Sequence, residues 1–180
     1  VMYFALLPTL SVLSLALKWL IIGKIKAGKY KLWSFYYFRF WLVDKIINIT
    51  PVIYFSGTPI MNLYLRLLGA KVGKNSYINT HSISAFDLLK VGENVSICTD
   101  SHLRGFIIKD GYLIIGSIEI EDDCFVGTRC CISENTKMQR NSSLDDLTML
   151  LSGAVVPANE SWQGSPGQKV GTNSTPERTK

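Results

Sequence analysis

From Ile114 to Val156 an aliphatic residue returns every six positions: Ile114, Ile120, Val126, Ile132, Met138, Leu144, Leu150 and Val156. Ile114 is the weakest stop, because Ile115 beside it serves equally well. Four residues after most stops comes a small side chain: Cys124, Cys130, Thr136, Ser142, Thr148 and Ala154. A period of six matches neither the roughly 3.6-residue turn of a helix nor the two-residue alternation of a plain strand. It is the repeat of a parallel β-helix, in which each hexad is one short strand plus a corner and the aliphatic points inward. The rhythm begins earlier, in VGKNSYI (Val72 to Ile78), and returns nineteen residues on in VGENVSI (Val91 to Ile97). Three hexads make one eighteen-residue coil, so the second copy lies under the first with one residue slipped in between. Gly73, Gly92 and Gly127 directly follow an aliphatic, where a left-handed backbone is expected. Between Ile97 and Ile114 the period is lost. The segment SHLRGFIIKDGYLII is long enough to leave the coil as a loop or a small hairpin turning at Asp110-Gly111. An expelled loop on a rigid solenoid is where function is commonly carried.

Upstream the pattern is helical. Val1 to Ile22 is apolar apart from Lys18, Thr9, Ser11 and Ser14, a length that suits one transmembrane helix. A signal peptide lacks its basic start and cleavage site here, and a packed core helix is the other option. Lys18, Lys24, Lys26, Lys29 and Lys31 bunch at and after the apolar run without an acid among them. Such a basic flank suits anionic head groups and puts the β-helix on the cytoplasmic side of a membrane. WSFYYFRFW (Trp33 to Trp41) belongs at a membrane–water boundary. Ile46 to Phe55, broken by Pro51, reads as an interfacial or re-entrant helix, with a packed helical hairpin as the alternative. Thr58-Pro59 then starts a short amphipathic helix carrying Ile60, Leu63, Tyr64, Leu67 and Leu68 up to Gly69, placed to cover the open top of the coil. Beyond Val156, Trp162 falls on the next six-step and plugs the bottom, and Gly164-Ser165-Pro166 ends the repeat. The division expected is 1–69 for transmembrane and interfacial helices, 70–168 for the β-helix and 169–180 for a disordered tail. The fold class is all-β, a parallel β-helix preceded by α-helices.

Composition narrows the chemistry. The 180 residues allow one domain with an accessory segment. Apolar residues reach 47% and charged ones only 18%, and the net charge of +5 is local rather than spread. Four cysteines without C-x-x-C spacing argue against a zinc site or a redox pair. Cys124 and Cys130, six apart, fall on adjacent faces and are not placed for a disulfide. No phosphate-binding glycine loop occurs, and lysines set beside apolar segments favour membrane lipid over nucleic acid. Glu119, Glu121, Asp122 and Asp123 read as a solvated face, with no metal assigned. The chain opens at Val1 without an initiator methionine and reads as cut from something longer.

Several stretches resemble one family: LWSFYYFRFWLVDK, YLRLLGAKVG, FDLLKVGENVSI, TDSHL and WQGSP. They are similar to the membrane-bound C-terminal part of epsilon-poly-L-lysine synthetase and related single-module non-ribosomal peptide synthetases. The resemblance runs over roughly residues 30 to 170. It implies the left-handed β-helix of hexapeptide acyltransferases. It also implies adenylation and carrier domains in the same polypeptide, and tandem copies forming a pseudo-trimer where stand-alone enzymes form a homotrimer. The copies are thought to join amino acids by peptide bonds. Glu121, Ser133, Gln139 and Leu151 depart from the usual hexad, which leaves open a degenerate, non-catalytic copy.

Acyl transfer from a thioester to an amine needs a base for the amine proton and donors for the oxyanion. His102, at the start of the irregular loop, matches the family's loop histidine and is a candidate base; a surface histidine is the plainer alternative. His81 and Asp100 each lie three residues after an aliphatic stop, one coil apart, and form a second candidate dyad or a surface ion pair. Asp87 matches a family residue without a role that the sequence supplies. Gly164, Ser165 and Pro166, with Lys169, are similar to the closing turn of CoA-using hexapeptide enzymes; Lys169 meets a phosphate or is a plain tail lysine. The cofactor implied is a phosphopantetheine-linked acyl carrier or acyl-CoA. A stand-alone CoA-dependent acetyltransferase is the competing activity.

Overall fold

The computed structural model describes residues 2–173, and only the backbone of residues 2–7. Val1 and the tail residues 174–180 lie outside the described residues. From Lys71 onward short parallel strands stack on three faces. The first face is Lys71–Val72, Leu89–Val91, Ile118–Ile120, Thr136–Met138 and Val155–Val156. The second is Tyr77–Ile78, Ser96–Ile97, Phe125–Val126, Ser143–Leu144 and Glu160–Gln163. The third is His102–Leu103, Cys131–Ile132 and Met149–Leu150, extended upward by a single bridge from Ile83 to Leu103.

The six-residue rule is a core rule. Ile120, Val126, Ile132, Met138, Leu144, Leu150 and Val156 are each at most 2% exposed. The small residues turn inward at the corners, where Thr136 and Thr148 hydroxyls donate to the carbonyls of Ser133 and Asp145 at 2.7 and 2.6 Å. Ile114 is not part of the ladder. It lies in a hairpin strand, half-buried, between the buried Leu113 and Ile115. The left-handed residue is also not the glycine after the stop but the third residue after it: Asn75, Asn94, Asp100, Asp123, Arg129, Asn135, Asn141, Leu147, Gly153 and Asn159 all have φ between 54° and 77°. Gly73, Gly92 and Gly127 are needed for space instead. A Cβ on Gly73 would collide with the Gly92 carbonyl in the coil below.

Strands on the lower coils pair residues eighteen apart, as Phe125 with Ser143, whereas Ser96 and Phe125 are twenty-nine apart. Eleven residues therefore leave the coil. They form the expected hairpin, Phe106–Lys109 against Tyr112–Ile115, with Asp110 and Gly111 at φ 51° and 77° as a primed turn requires. Strand Gly28–Lys31 pairs antiparallel with Tyr112–Ile115, so the hairpin is gripped from the N-terminal side.

Three helices make the chain α plus β rather than all-β: α1 (Met2–Ile21), α2 (Phe35–Ile49) and α3 (Pro59–Leu67). No helix among the described residues is long and apolar enough to cross a membrane. The described part of α1 carries a polar stripe. Ser11, Ser14 and Lys18 are buried against the protein, while Val12, Leu13 and Leu20 face outward. Lys18 is therefore not part of the surface lysine cluster. Its Nζ is fully buried 2.9 Å from Asp87 Oδ2, which also accepts the Ile25 N–H at 2.9 Å. Burial lowers the Lys18 pKa, against the opposing pull of Asp87. Ser34 caps α2 by accepting the Tyr37 N–H, and Phe40, Val43 and Ile47 form its buried stripe. In α3 the inward face is Met61, Tyr64, Leu65 and the following Leu68, whereas Ile60, Leu63 and Leu67 are half or more exposed.

Residues 169–173 are not a disordered tail, and the rest of that expectation lies outside the described residues. Gln168–Thr172 forms an antiparallel strand on Glu160–Gln163, and Asn173 bonds Ser143 and the Asn141 carbonyl. Trp162, in register with Leu144, packs against the lower end of the core.

Candidate functional site

The third face carries an outward column. Ile83 bridges to Leu103, so Ser82 stands beside His102; His102 pairs with Cys131, and Cys131 with Met149. His102 Nδ1 lies 2.5 Å from Ser82 Oγ. When Nδ1 carries the proton and donates to that hydroxyl, Nε2 keeps its lone pair and can act as a base. The column ends at the closing turn: the Gly164 carbonyl accepts the Met149 N–H at 2.9 Å, and Gly167 N–H donates to the Met149 carbonyl at 2.8 Å. Ser165 Oγ lies 3.5 Å from Met149 Sδ. From His102 down to the Gly164-Ser165-Pro166 turn is three strand spacings, roughly 14 Å.

His102, His81 and Asp100 line one cleft of about 430 Å³ together with Thr80, Ser82 and Arg129. The proposed His81–Asp100 dyad is not formed. Ile78 pairs with Ile97 nineteen residues away, but Ile83 bridges to Leu103 at twenty, so the chain slips one residue between them. The slip takes His81 out of line with Asp100, whose carboxylate sits 3.7 Å from Arg129 Nε. It also brings Ser82 to His102, a partnership without any periodic signature in the sequence. Lys169 is committed elsewhere, with Nζ 2.7 Å from Glu160 Oε1 on the neighbouring face.

A second cleft, of about 510 Å³, adjoins the first through Ser82 and runs between α2 and the hairpin. Asp44, Arg104, Cys131, Glu134 and Met149 line it. Burial pushes the Asp44 carboxyl upward from its ordinary pKa, partly offset by Lys45 at 3.6 Å. The sequence gives no sign of Asp44 and Glu134 as site residues, since they belong to different parts of the chain and come to line one cleft only in the fold.

Parallel coils on three faces, a closing turn and a loop expelled beside a histidine form a known architecture. The fold is that of the hexapeptide-repeat acyltransferases. A hexapeptide-repeat-containing acetyltransferase from Vibrio cholerae matches 94% of this chain and 93% of its own at 12% identity, with a TM-score of 0.54. The same protein complexed with acetyl coenzyme A gives 0.53 over 93% of this chain and 89% of its own, also at 12% identity. A maltose O-acetyltransferase from Clostridium difficile 630 gives 0.54 at 14% identity, over 94% of this chain and 89% of its own. At these identities the hexapeptide-repeat likeness concerns the fold alone. In sequence, the chain is 38% identical over 169 residues to Delta-poly-L-ornithine synthetase of Acinetobacter baumannii (strain AB307-0294). That match covers 94% of this chain and 13% of the synthetase, so the chain spans a small fraction of that relative's length. No protein-family model matches the chain.

Proposed function

We propose that the chain is an acyltransferase-type domain of a non-ribosomal peptide synthetase-like enzyme, moving an aminoacyl group from a thioester to an amine. The carrying observation is the His102–Ser82 pair at 2.5 Å at the head of the column that ends in the Gly164-Ser165-Pro166 turn. The name of the ornithine-polymer synthetase supports an amino acid as the transferred unit. The thioester arm, of a phosphopantetheine-linked carrier or of CoA, lies along the column with its head group near the closing turn and its carbonyl at His102. The acceptor amine attacks that carbonyl while Nε2 takes its proton. The tetrahedral intermediate then collapses, the C–S bond breaks, and the imidazolium returns the proton to the leaving sulfur. Ser82 orients the ring.

In the full protein, His102→Ala lowers the rate of product formation at least about a hundredfold with the fold intact, since a positioned base contributes about that much or more. An unchanged rate assigns this copy a scaffolding role beside active copies. The acetyl coenzyme A complex of the Vibrio relative favours a second reading, a stand-alone CoA-dependent acetyltransferase with a left-handed coil. Side-by-side assays with acetyl-CoA and with an aminoacyl carrier thioester separate the two donors.

The assembly side of the proposal is a membrane surface on the cytoplasmic side, with adenylation and carrier domains in the same polypeptide and further copies completing a trimer or pseudo-trimer. Supporting the lipid contact, Leu20, Trp33 and Phe35 are 77–84% exposed and flank Lys24, Lys26, Lys29 and Lys31 in the sequence. Co-sedimentation with anionic vesicles, lost with neutral vesicles or in high salt, is the expected result.

A further inference from the structure

We infer that the cleft beneath the hairpin is a subsite for an ammonium group of the acceptor, with Glu134 as its specificity-determining residue. The inference rests on the amine-acceptor reading above and names the kind of amine.

Glu134 is 2% exposed, and its Oε2 is buried without a hydrogen-bond partner among the described residues. Its place in the hexad explains why. It is the second residue after the stop at Ile132, the position that Asp122 and Asp146 occupy after Ile120 and Leu144. Those two carboxylates each accept an N–H from the coil above, Glu93 at 2.9 Å and Thr128 at 2.7 Å. Above Glu134 the chain departs as the hairpin, whose foot is closed by Gly116 N–H to the Gly105 carbonyl. The equivalent N–H here is that of Gly105, where the chain leaves the coil, and it makes no hydrogen bond to Glu134 Oε2. A buried carboxyl oxygen without a donor is costly, so a carboxyl retained here calls for a donor from outside the coil.

The cleft supplies room for one and a second acid. Asp44 lines the same space, and its only ion-pair partner among the described residues, Lys45, is about half exposed. An ammonium carries several N–H donors and a charge opposite to both carboxyls, which a neutral amide or hydroxyl does not match. Ser82 lines this cleft and also holds His102. One acceptor molecule can therefore place a protonated amine against Glu134 and present a second, neutral amine to Nε2. The gripped amine must stay protonated and the attacking one must not, so the subsite selects a diamine or diamino acid over a monoamine and determines which nitrogen is acylated.

Isothermal titration of the full chain with ornithine, norvaline, 1,4-diaminobutane and ornithyl-ornithine tests the subsite. Ornithine and diaminobutane are expected to bind at least about tenfold more tightly than norvaline, which lacks the side-chain amine. Glu134→Gln should bring ornithine and norvaline to within about twofold, while His102→Asn keeps the preference. Tighter binding of ornithyl-ornithine than of ornithine assigns the subsite to a growing chain end, and the reverse assigns it to a free amino acid. Equal binding of ornithine and norvaline to the unaltered chain, or a preference surviving Glu134→Gln, overturns the inference. Asp44→Asn, a change on a different element, guards against misfolding of the first variant and should narrow the preference in the same direction. Retained turnover in His102→Ala together with a Glu134-dependent preference would remove the catalytic reading and leave the subsite standing.

Discussion

At the scale of single residues, the corners store strain and the core stores titratable groups. Leu147 adopts φ 60° with 65% of its surface exposed, so it bears the cost of a left-handed backbone without a packing return. Leu147→Asn is expected to raise stability by about 1 kcal/mol in urea unfolding, matching the asparagines that hold the same corner elsewhere. Cys130 is fully buried, and desolvation pushes its thiol up to about 11 from an ordinary 9. The folded state therefore holds this proton more tightly than the unfolded chain. Its contribution is complete below pH 9 and is lost as pH rises toward 11, by roughly 2–3 kcal/mol. Unfolding free energies measured from pH 8 to 11 should fall along that window, and less steeply in Cys130→Ala. Asp87 illustrates what one residue hides. Nothing around it in the sequence shows that it neutralises Lys18 on α1, or that its Oδ1 fills the space where a Gly69 side chain would begin. Asp87→Ala should cost about 3–5 kcal/mol by stranding a buried ammonium. A Lys18→Met, Asp87→Leu double variant should recover most of that.

At the scale of elements, the hexads were legible because one side chain per strand must point into a narrow prism, and that demand repeats with the backbone. The hairpin was legible for a different reason: Asp-Gly is among the few pairs that tolerate two consecutive left-handed residues. Its packing was not legible. Leu113, fully buried, turns an expelled loop into a covered platform that grips Gly28–Lys31 and roofs the second cleft. Leu113→Ala is expected to destabilise by about 2–5 kcal/mol and to raise proteolysis between Gly105 and Gly116. Helix faces were half legible. Helical spacing in α3 holds, yet Ile60, Leu63 and Leu67 look outward, because periodicity identifies an apolar stripe without saying which neighbour covers it.

At the scale of the whole molecule, the helices and the coil are joined by contacts that span the chain: Lys18 with Asp87, Ser14 with Tyr64 at 2.9 Å, and Gly28–Lys31 with the hairpin. This arrangement turns the polar stripe of α1 inward and leaves Val12, Leu13 and Leu20 exposed. The sequence by itself determined the coil and the place where it is interrupted, since a six-residue burial period is a local constraint that each turn must satisfy. It also singled out His102 and the Gly164-Ser165-Pro166 turn. Only the tertiary structure decided that Ser82 rather than Asp100 partners a histidine, that Asp44 and Glu134 share a cleft, and that α1 turns Ser11, Ser14 and Lys18 inward. Those outcomes depend on a one-residue slip and on an eleven-residue departure from the coil, whose consequences appear only when neighbouring coils are stacked.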